Sequence, residues 1–291
     1  MASTQVLKSR IRSVKSTRQI TRAMQLVAAS KMRRSQEAAK ASSPYTLAAR
    51  QLLNALARHT SVSDHPLFVK RPVKNRLLIV IASDKGLAGA YNSSIIKAYT
   101  EQLQADDKAG IKNTTIAIGR KAAQFVSRIK DTQVMGVYQD LPDRPDGREL
   151  RAILDSVRVK FTSGEVDAVD VIYTEFISIV KQTQRIVRVL PAGIDETVEP
   201  EPDVPTDAVY EPNTAEVLDG VAYRLVGAQI FQALLDGRAS EYSMRMLAMK
   251  NATDNASDLI EDLTLAMNKA RQGAITQELA EISAGVEALN D

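Results

Sequence analysis

Cysteine and tryptophan are absent from the chain, and its 291 residues include only two histidines, His59 and His65. Without thiols there is no disulfide framework and no thiolate site. With so few imidazoles, a zinc centre or a catalytic triad is disfavoured. Aromatic residues make up 4% of the chain, as in helix-rich proteins built from Ala, Leu, Glu, Lys and Arg. Long apolar runs are also missing: Leu77 to Ala82 is typical, and far too short to cross a bilayer. No apolar stretch follows the basic N-terminus as a secretory leader requires. The expectation is a soluble protein that meets a membrane only through a partner.

Proline is lacking after Pro212, and this absence marks the dominant feature. From Ala215 to the end, apolar residues recur at helical spacing. Met249, Ala252, Ala256, Leu259, Leu263, Ala266 and Ala270 step by threes and fours, and Ile275, Leu279, Ile282, Val286 and Leu289 repeat the rhythm after a slip. Such a seam predicts a helix packed along another helix. About 75 helical residues would extend on the order of 110 Å, longer than a globular domain of this mass is wide, so another protein should surround part of it.

Acid is what the N-terminus lacks. Lys8, Arg10, Arg12, Lys15, Arg18, Arg22, Lys31, Arg33 and Arg34 precede the first carboxylate. Residues 1–60 read as a second long helix, capped by Ser3 or Thr4, with an apolar stripe of Leu7, Ile11, Val14, Ile20, Met24 and Val27. Pro44 is expected to kink or interrupt it. Like charges in this density call for an acidic surface alongside. The reverse asymmetry marks 195–213, where Asp195 to Pro212 holds seven acids, four prolines and no base, a linker or surface loop.

Between the helices, over 61–194, the period changes. Strands are expected at Leu77–Ile81, Thr114–Ile118, Val134–Tyr138, Val169–Phe176 and Gln184–Leu190. Helices are expected at Ser93–Gln104, Arg120–Ile129 and Arg148–Phe161. Alternation of this kind implies a mostly parallel sheet, the last two strands antiparallel. The fold class is therefore α/β: a long antiparallel coiled coil of N-terminal (1–60) and C-terminal (214–291) helices with an inserted Rossmann-like, mostly parallel domain.

No catalytic constellation emerges. The loop Ser83 to Asn92 follows a strand and opens a helix, but carries only Gly86 and Gly89, short of a dinucleotide fingerprint, and lacks the Lys-Ser/Thr of a P-loop. Gly119-Arg120-Lys121 is an ordinary strand-to-helix turn. A basic nucleic-acid binder would need a recognition motif or aromatic platform, and neither is present. A generic coiled-coil scaffold fits the pattern but leaves the polar stretches inside the helices without a purpose.

Four segments carry a more specific message. Met24 to Arg33 (MQLVAASKMR), Ser83 to Leu87 (SDKGL), Met249 to Asn255 and Lys269 to Glu278 resemble, in order, the γ subunits of bacterial-type F-type ATP synthases. That resemblance implies a central rotor shaft in the α3β3 hexamer, its foot on the membrane c-ring beside ε, one copy per complex. It implies no catalytic site on this chain, no cofactor of its own, ATP, ADP and Mg being bound by α and β, and no nucleic acid. Arg271 and Gln272 match positions that hydrogen-bond a loop of β, with Thr276 and Glu278 in the same contact. Met24 and Arg245 match positions facing the β lever or supporting coupling, and the lever's acidic loop is a counterpart for Lys31, Arg33 and Arg34. Leu279, Ile282, Val286 and Leu289 match the tip held in an upper bearing, and Tyr210 and Glu211 the foot near ε and the c-ring. The implied location is the cytoplasmic face of a bacterial inner membrane, reached through the Fo sector.

Overall fold

The computed structural model describes residues 4–56, 65–130, 132–142, 148–193 and 214–290. The element order is α1 (Thr4–Leu56), β1 (Asn75–Ile81), α2 (Tyr91–Ala109), β2 (Lys112–Ile118), α3 (Arg120–Val126), β3 (Gln133–Tyr138), α4 (Arg148–Thr162), β4 (Ala168–Phe176), β5 (Gln182–Leu190) and α5 (Thr214–Asn290). The acidic stretch 195–213 lies outside the described residues.

The chain forms two compact units, residues 1–28 with 246–291, and residues 29–245. The boundary falls inside α1 and α5, not at the ends of the sheet domain as the sequence suggests. The reason is packing: Ala49 and Leu53 of α1 and Ala222 to Leu234 of α5 belong to the core that also holds the sheet.

In the larger unit, five strands lie in the order β3-β2-β1-β4-β5. β1 runs parallel to β2 and β4, β2 parallel to β3, and β4 antiparallel to β5. Alternation along β1 explains why its apolar run is unbroken. Leu77, Ile79 and Ile81 face a core shared with α1, α4 and α5, whereas Leu78 and Val80 face one shared with α2 and α3. A strand buried on both faces has no polar positions to offer. Across the strands, Arg76 Nε lies 3.0 Å from Asp106 of α2 and pairs with Asp170 of β4, which Arg188 of β5 also binds. Both carboxylates are almost fully buried, so this pairing is what makes their burial tolerable.

Gly119 turns the chain from β2 into α3 at φ +93°, and a Cβ there would stand 2.2 Å from the Ala82 carbonyl oxygen. Only glycine fits.

The helices depart from the expected phase. On α1 the buried and half-buried positions include the series 7, 11, 14, 18, 21, 25, 28, 32, 35, 39, 42, 46, 49 and 53, an unbroken alternation of fours and threes that marks the inward face. Ile20 and Val27 are each 57% exposed, and Thr21 and Ala28 take the inward places beside them. The helix runs through Pro44 uninterrupted; the proline is exposed, outside the seam. On α5 the inward series is Met249, Thr253, Ala256, Ile260, Leu263, Met267 and Ala270, so Leu259 (46% exposed) and Ala266 face outward. Polar threonines in the seam explain the error, because a search for apolar residues slides to the neighbouring position. The Thr253 hydroxyl bonds that of Thr21 at 2.8 Å, and Gln232 Nε2 bonds the Ala39 carbonyl at 3.3 Å. As α5 advances α1 recedes, so the pair is antiparallel.

Candidate functional site

Three surfaces hold the residues singled out by sequence. The first is the end of α5. From Arg271 to Ser283 every side chain is exposed. Arg271, Gln272 and Glu278 point to solvent, and Thr276 donates its hydroxyl only to the Gln272 carbonyl, at 2.9 Å. Ile275 is 50%, Leu279 60% and Ile282 59% exposed. Burying such side chains is worth about 1.5–3 kcal/mol each, and a solitary helix gains none of it. Gly273 adds to the anomaly: an added Cβ would meet nothing within 4 Å, so none of the described residues requires a glycine that weakens the helix. α5 continues through Val286 and Leu289, whose side chains lie outside the described set, as do Tyr210 and Glu211 altogether.

The second surface is the face of α1. Lys8, Arg10, Arg12, Lys15, Arg22, Arg33 and Arg34 are exposed, and Arg18 and Met24 half-buried. Lys31 differs, with its ammonium 5.4 Å above the Tyr242 ring.

The third lies where α5 meets the Ser83–Asn92 loop. Arg245 is 8% exposed, turned inward against its own chain. It donates to Glu241 Oε1 at 2.6 Å and to the carbonyls of Lys85 (3.0 Å) and Gly86 (3.3 Å), and lies 5.6 Å from the Tyr242 ring. Burial pushes the Glu241 carboxyl upward, opposed by the Arg245 charge. Inside the loop the Ser83 hydroxyl donates to the Lys85 carbonyl at 2.7 Å, and Asp84 Oδ1 accepts from the Arg120 amide at 3.0 Å. The first bond closes the loop on itself, and the second ties it to the start of α3. Sequence reasoning did not single out Glu241; its four-residue offset from Arg245 on one helix was the available signal.

One further carboxyl stands out. Burial raises Asp236 to about 7, helped by the Glu175 charge and opposed by the hydrogen bond from Gln232 Nε2. Among the described residues, no three His, Asp or Glu side chains gather to hold a metal, and no helix is long and apolar enough to cross a membrane.

Two long terminal helices that pair antiparallel, an α/β domain inserted between them in sequence and an exposed amphipathic end define a class of coiled-coil proteins with an inserted sheet domain. A family model described as ATP synthase matches residues 3–289. The chain is 40% identical over 295 residues to the ATP synthase gamma chain of Ralstonia nicotianae, covering 99% of this chain and 100% of that one. It is 38% identical over 316 residues to the ATP synthase gamma chain of Thermosynechococcus vestitus, again covering 99% and 100%. The fold is similar to a chain in the rotor of the Euglena gracilis mitochondrial ATP synthase, with TM-score 0.66 and 16% identity over 94% of this chain and 98% of that one. The chain belongs to the ATP synthase gamma chain family.

Proposed function

We propose that this chain is the central shaft of a rotary ATP synthase, coupling proton flow through a c-ring to ATP synthesis or hydrolysis at the β subunits of an α3β3 hexamer. The observation that carries this reading is the bare end of α5, where apolar Ile275, Leu279 and Ile282 share a helix with exposed Arg271, Gln272 and Glu278. Rotation needs an apolar tip that slides in a bearing and a few polar contacts that grip without creating one deep well. Arg271, Gln272, Thr276 and Glu278 supply the polar contacts to β, and the apolar residues from Leu279 onward the bearing. The basic face of α1, including Lys31, Arg33 and Arg34, and half-buried Met24 meet the acidic lever of β. Arg245 acts from within, holding the loop that faces the same lever.

The chain has no catalytic site or cofactor of its own, and ATP, ADP and Mg belong to α and β. Tyr210 and Glu211 form the foot against ε and the c-ring, placing the chain peripherally on the cytoplasmic face of a bacterial membrane. Replacing Arg271 and Gln272 together by Ala should lower ATP hydrolysis, or its coupling to proton transport, in the assembled complex. Wild-type rates and coupling in that variant would contradict the assignment of the polar contact.

A further inference from the structure

Within the larger unit, the contact between α1 and α5 carries a polar level where apolar packing is expected. Gln232 of α5 reaches across to α1, its Nε2 donating to the Ala39 carbonyl at 3.3 Å and also, one turn along its own helix, to Asp236 Oδ1 at 3.1 Å. A carbonyl can only accept, so the edge of the amide that meets Ala39 is its nitrogen, and the orientation is fixed. Both protons of Nε2 are then engaged, whereas Gln232 Oε1 is buried with no hydrogen-bond partner among the described residues. So is Gln36 Nε2. Because the helices are antiparallel, the step from Ala39 back to Gln36 and the step from Gln232 on to Asp236 run the same way, which brings Gln36 to the level of Asp236. Buried polar atoms are so regularly paired that an orphaned acceptor calls for a donor.

Asp236 supplies it. A carboxylate only accepts, but a carboxylic acid also has an O–H to give. With its proton in place, Asp236 accepts from Gln232 Nε2 through one oxygen and donates to Gln232 Oε1 through the other, the two-bond ring that an acid forms with a primary amide. The surroundings favour that form. Burial raises the Asp236 carboxyl to about 7, and the like charge of Glu175 on β4 acts in the same sense. Glu175 is itself held by Arg185 of β5, at 2.9 Å. Burial also raises the nearby Tyr173 hydroxyl, with Asp236 and Glu175 adding to the effect and Arg50 of α1 and Arg185 opposing it.

We propose that Asp236 and Gln232 close as an acid–amide pair and make a proton-operated clasp between α5 and α1. With the proton on, the ring keeps the Gln232 amide aimed at the Ala39 carbonyl and ties the two helices together. When the proton leaves to solvent, Oε1 loses its donor and the new carboxylate is repelled by Glu175. The carboxylate also competes with Ala39 for the protons of Nε2, so the bond across the helices weakens. Gln36 Nε2, unpartnered at the same level, is a donor to which the carboxylate can turn instead. The helix pair is therefore held more firmly at pH 6 than at pH 8. This device lies in the larger unit alone and does not depend on the shaft reading.

Hydrogen exchange of the full-length chain, followed by mass spectrometry at pH 6 and pH 8 and corrected for the intrinsic rate, reads the clasp. From pH 6 to pH 8, protection of residues 35–43 and 228–240 should fall at least about fivefold more than that of β1, whose amides report the stability of the whole fold. Asp236→Asn, whose side-chain amide donates to Oε1 at either pH, should abolish the excess. An equal fall in all three segments, or an excess that survives in Asp236→Asn, would overturn the clasp. A second measurement separates the ring from a simple bond to a carboxylate. Gln232→Met removes the amide, and the Asp236 titration is followed through its carboxyl carbon signal by NMR. Loss of the ring should lower the midpoint by at least about one unit, whereas loss of a mere donor to the carboxylate would raise it. A midpoint that rises or stays in place would overturn the acid–amide pair.

Discussion

Arg245 illustrates how much a single buried charge organises. Its guanidinium satisfies the carbonyls of Lys85 and Gly86 and the carboxylate of Glu241 at once. Removing it strands the Glu241 carboxyl in a buried site and frees the loop. Arg245→Ala should therefore cost about 3–5 kcal/mol of stability, the range for breaking a buried pair, measurable by urea unfolding. Asp236 works in the opposite sense. Its carboxyl is raised to about 7 in the folded chain, well above the unfolded value of about 3.9. Between those values the unfolded chain releases a proton that the folded chain keeps, so stability falls as pH rises through the window and levels off above it. Asp236→Asn removes the penalty. The variant should be more stable than wild type at pH 8, by on the order of 1–3 kcal/mol, and the two should converge towards pH 4. A constant difference across that range would contradict the account.

At the scale of elements, the strands were more legible than the phase of the helices. The β1 run from Leu77 to Ile81 is apolar on both faces because helices cover both, and its shortness and the β-branched Ile79, Val80 and Ile81 favour a strand over a buried helix segment. Helix existence was equally plain, but its phase was not. Thr21 and Thr253 occupy the seam and bond each other, so an apolar search placed Ile20, Val27, Leu259 and Ala266 inside when they lie outside. Nor could the sequence say that Arg245 turns inward, since its partners are backbone carbonyls some 160 residues away. The polar stretch at the end of α5 stands out in the sequence because Gly, Asn and Thr weaken a helix, and residues 271–283 are all exposed. Pro44 offers an element-scale test. The helix passes through it although proline removes an amide and crowds the preceding turn. Since the side chain is exposed, Pro44→Ala should raise the thermal midpoint, by about 1–3 kcal/mol of stability. A lower midpoint would mean that the proline shapes α1 in a way the seam requires.

On the scale of the whole molecule, the two terminal helices share one job and the sheet domain another. The antiparallel pair gives a stiff element whose Thr21–Thr253 bond fixes register. The sheet domain is fastened to α5 at two exposed loops, through Ser243 and Arg245. A bare amphipathic end completes the set: it is uncovered in this chain and is suited to turning inside a sleeve. These features suit a part that carries torque within an assembly.

The most direct test is to assemble the chain with α and β, attach a bead through a single cysteine introduced on the exposed sheet domain, and add ATP. The shaft account predicts sustained unidirectional rotation that stops when ATP is withdrawn. An assembled, ATP-hydrolysing complex in which the bead only fluctuates about one orientation would contradict it.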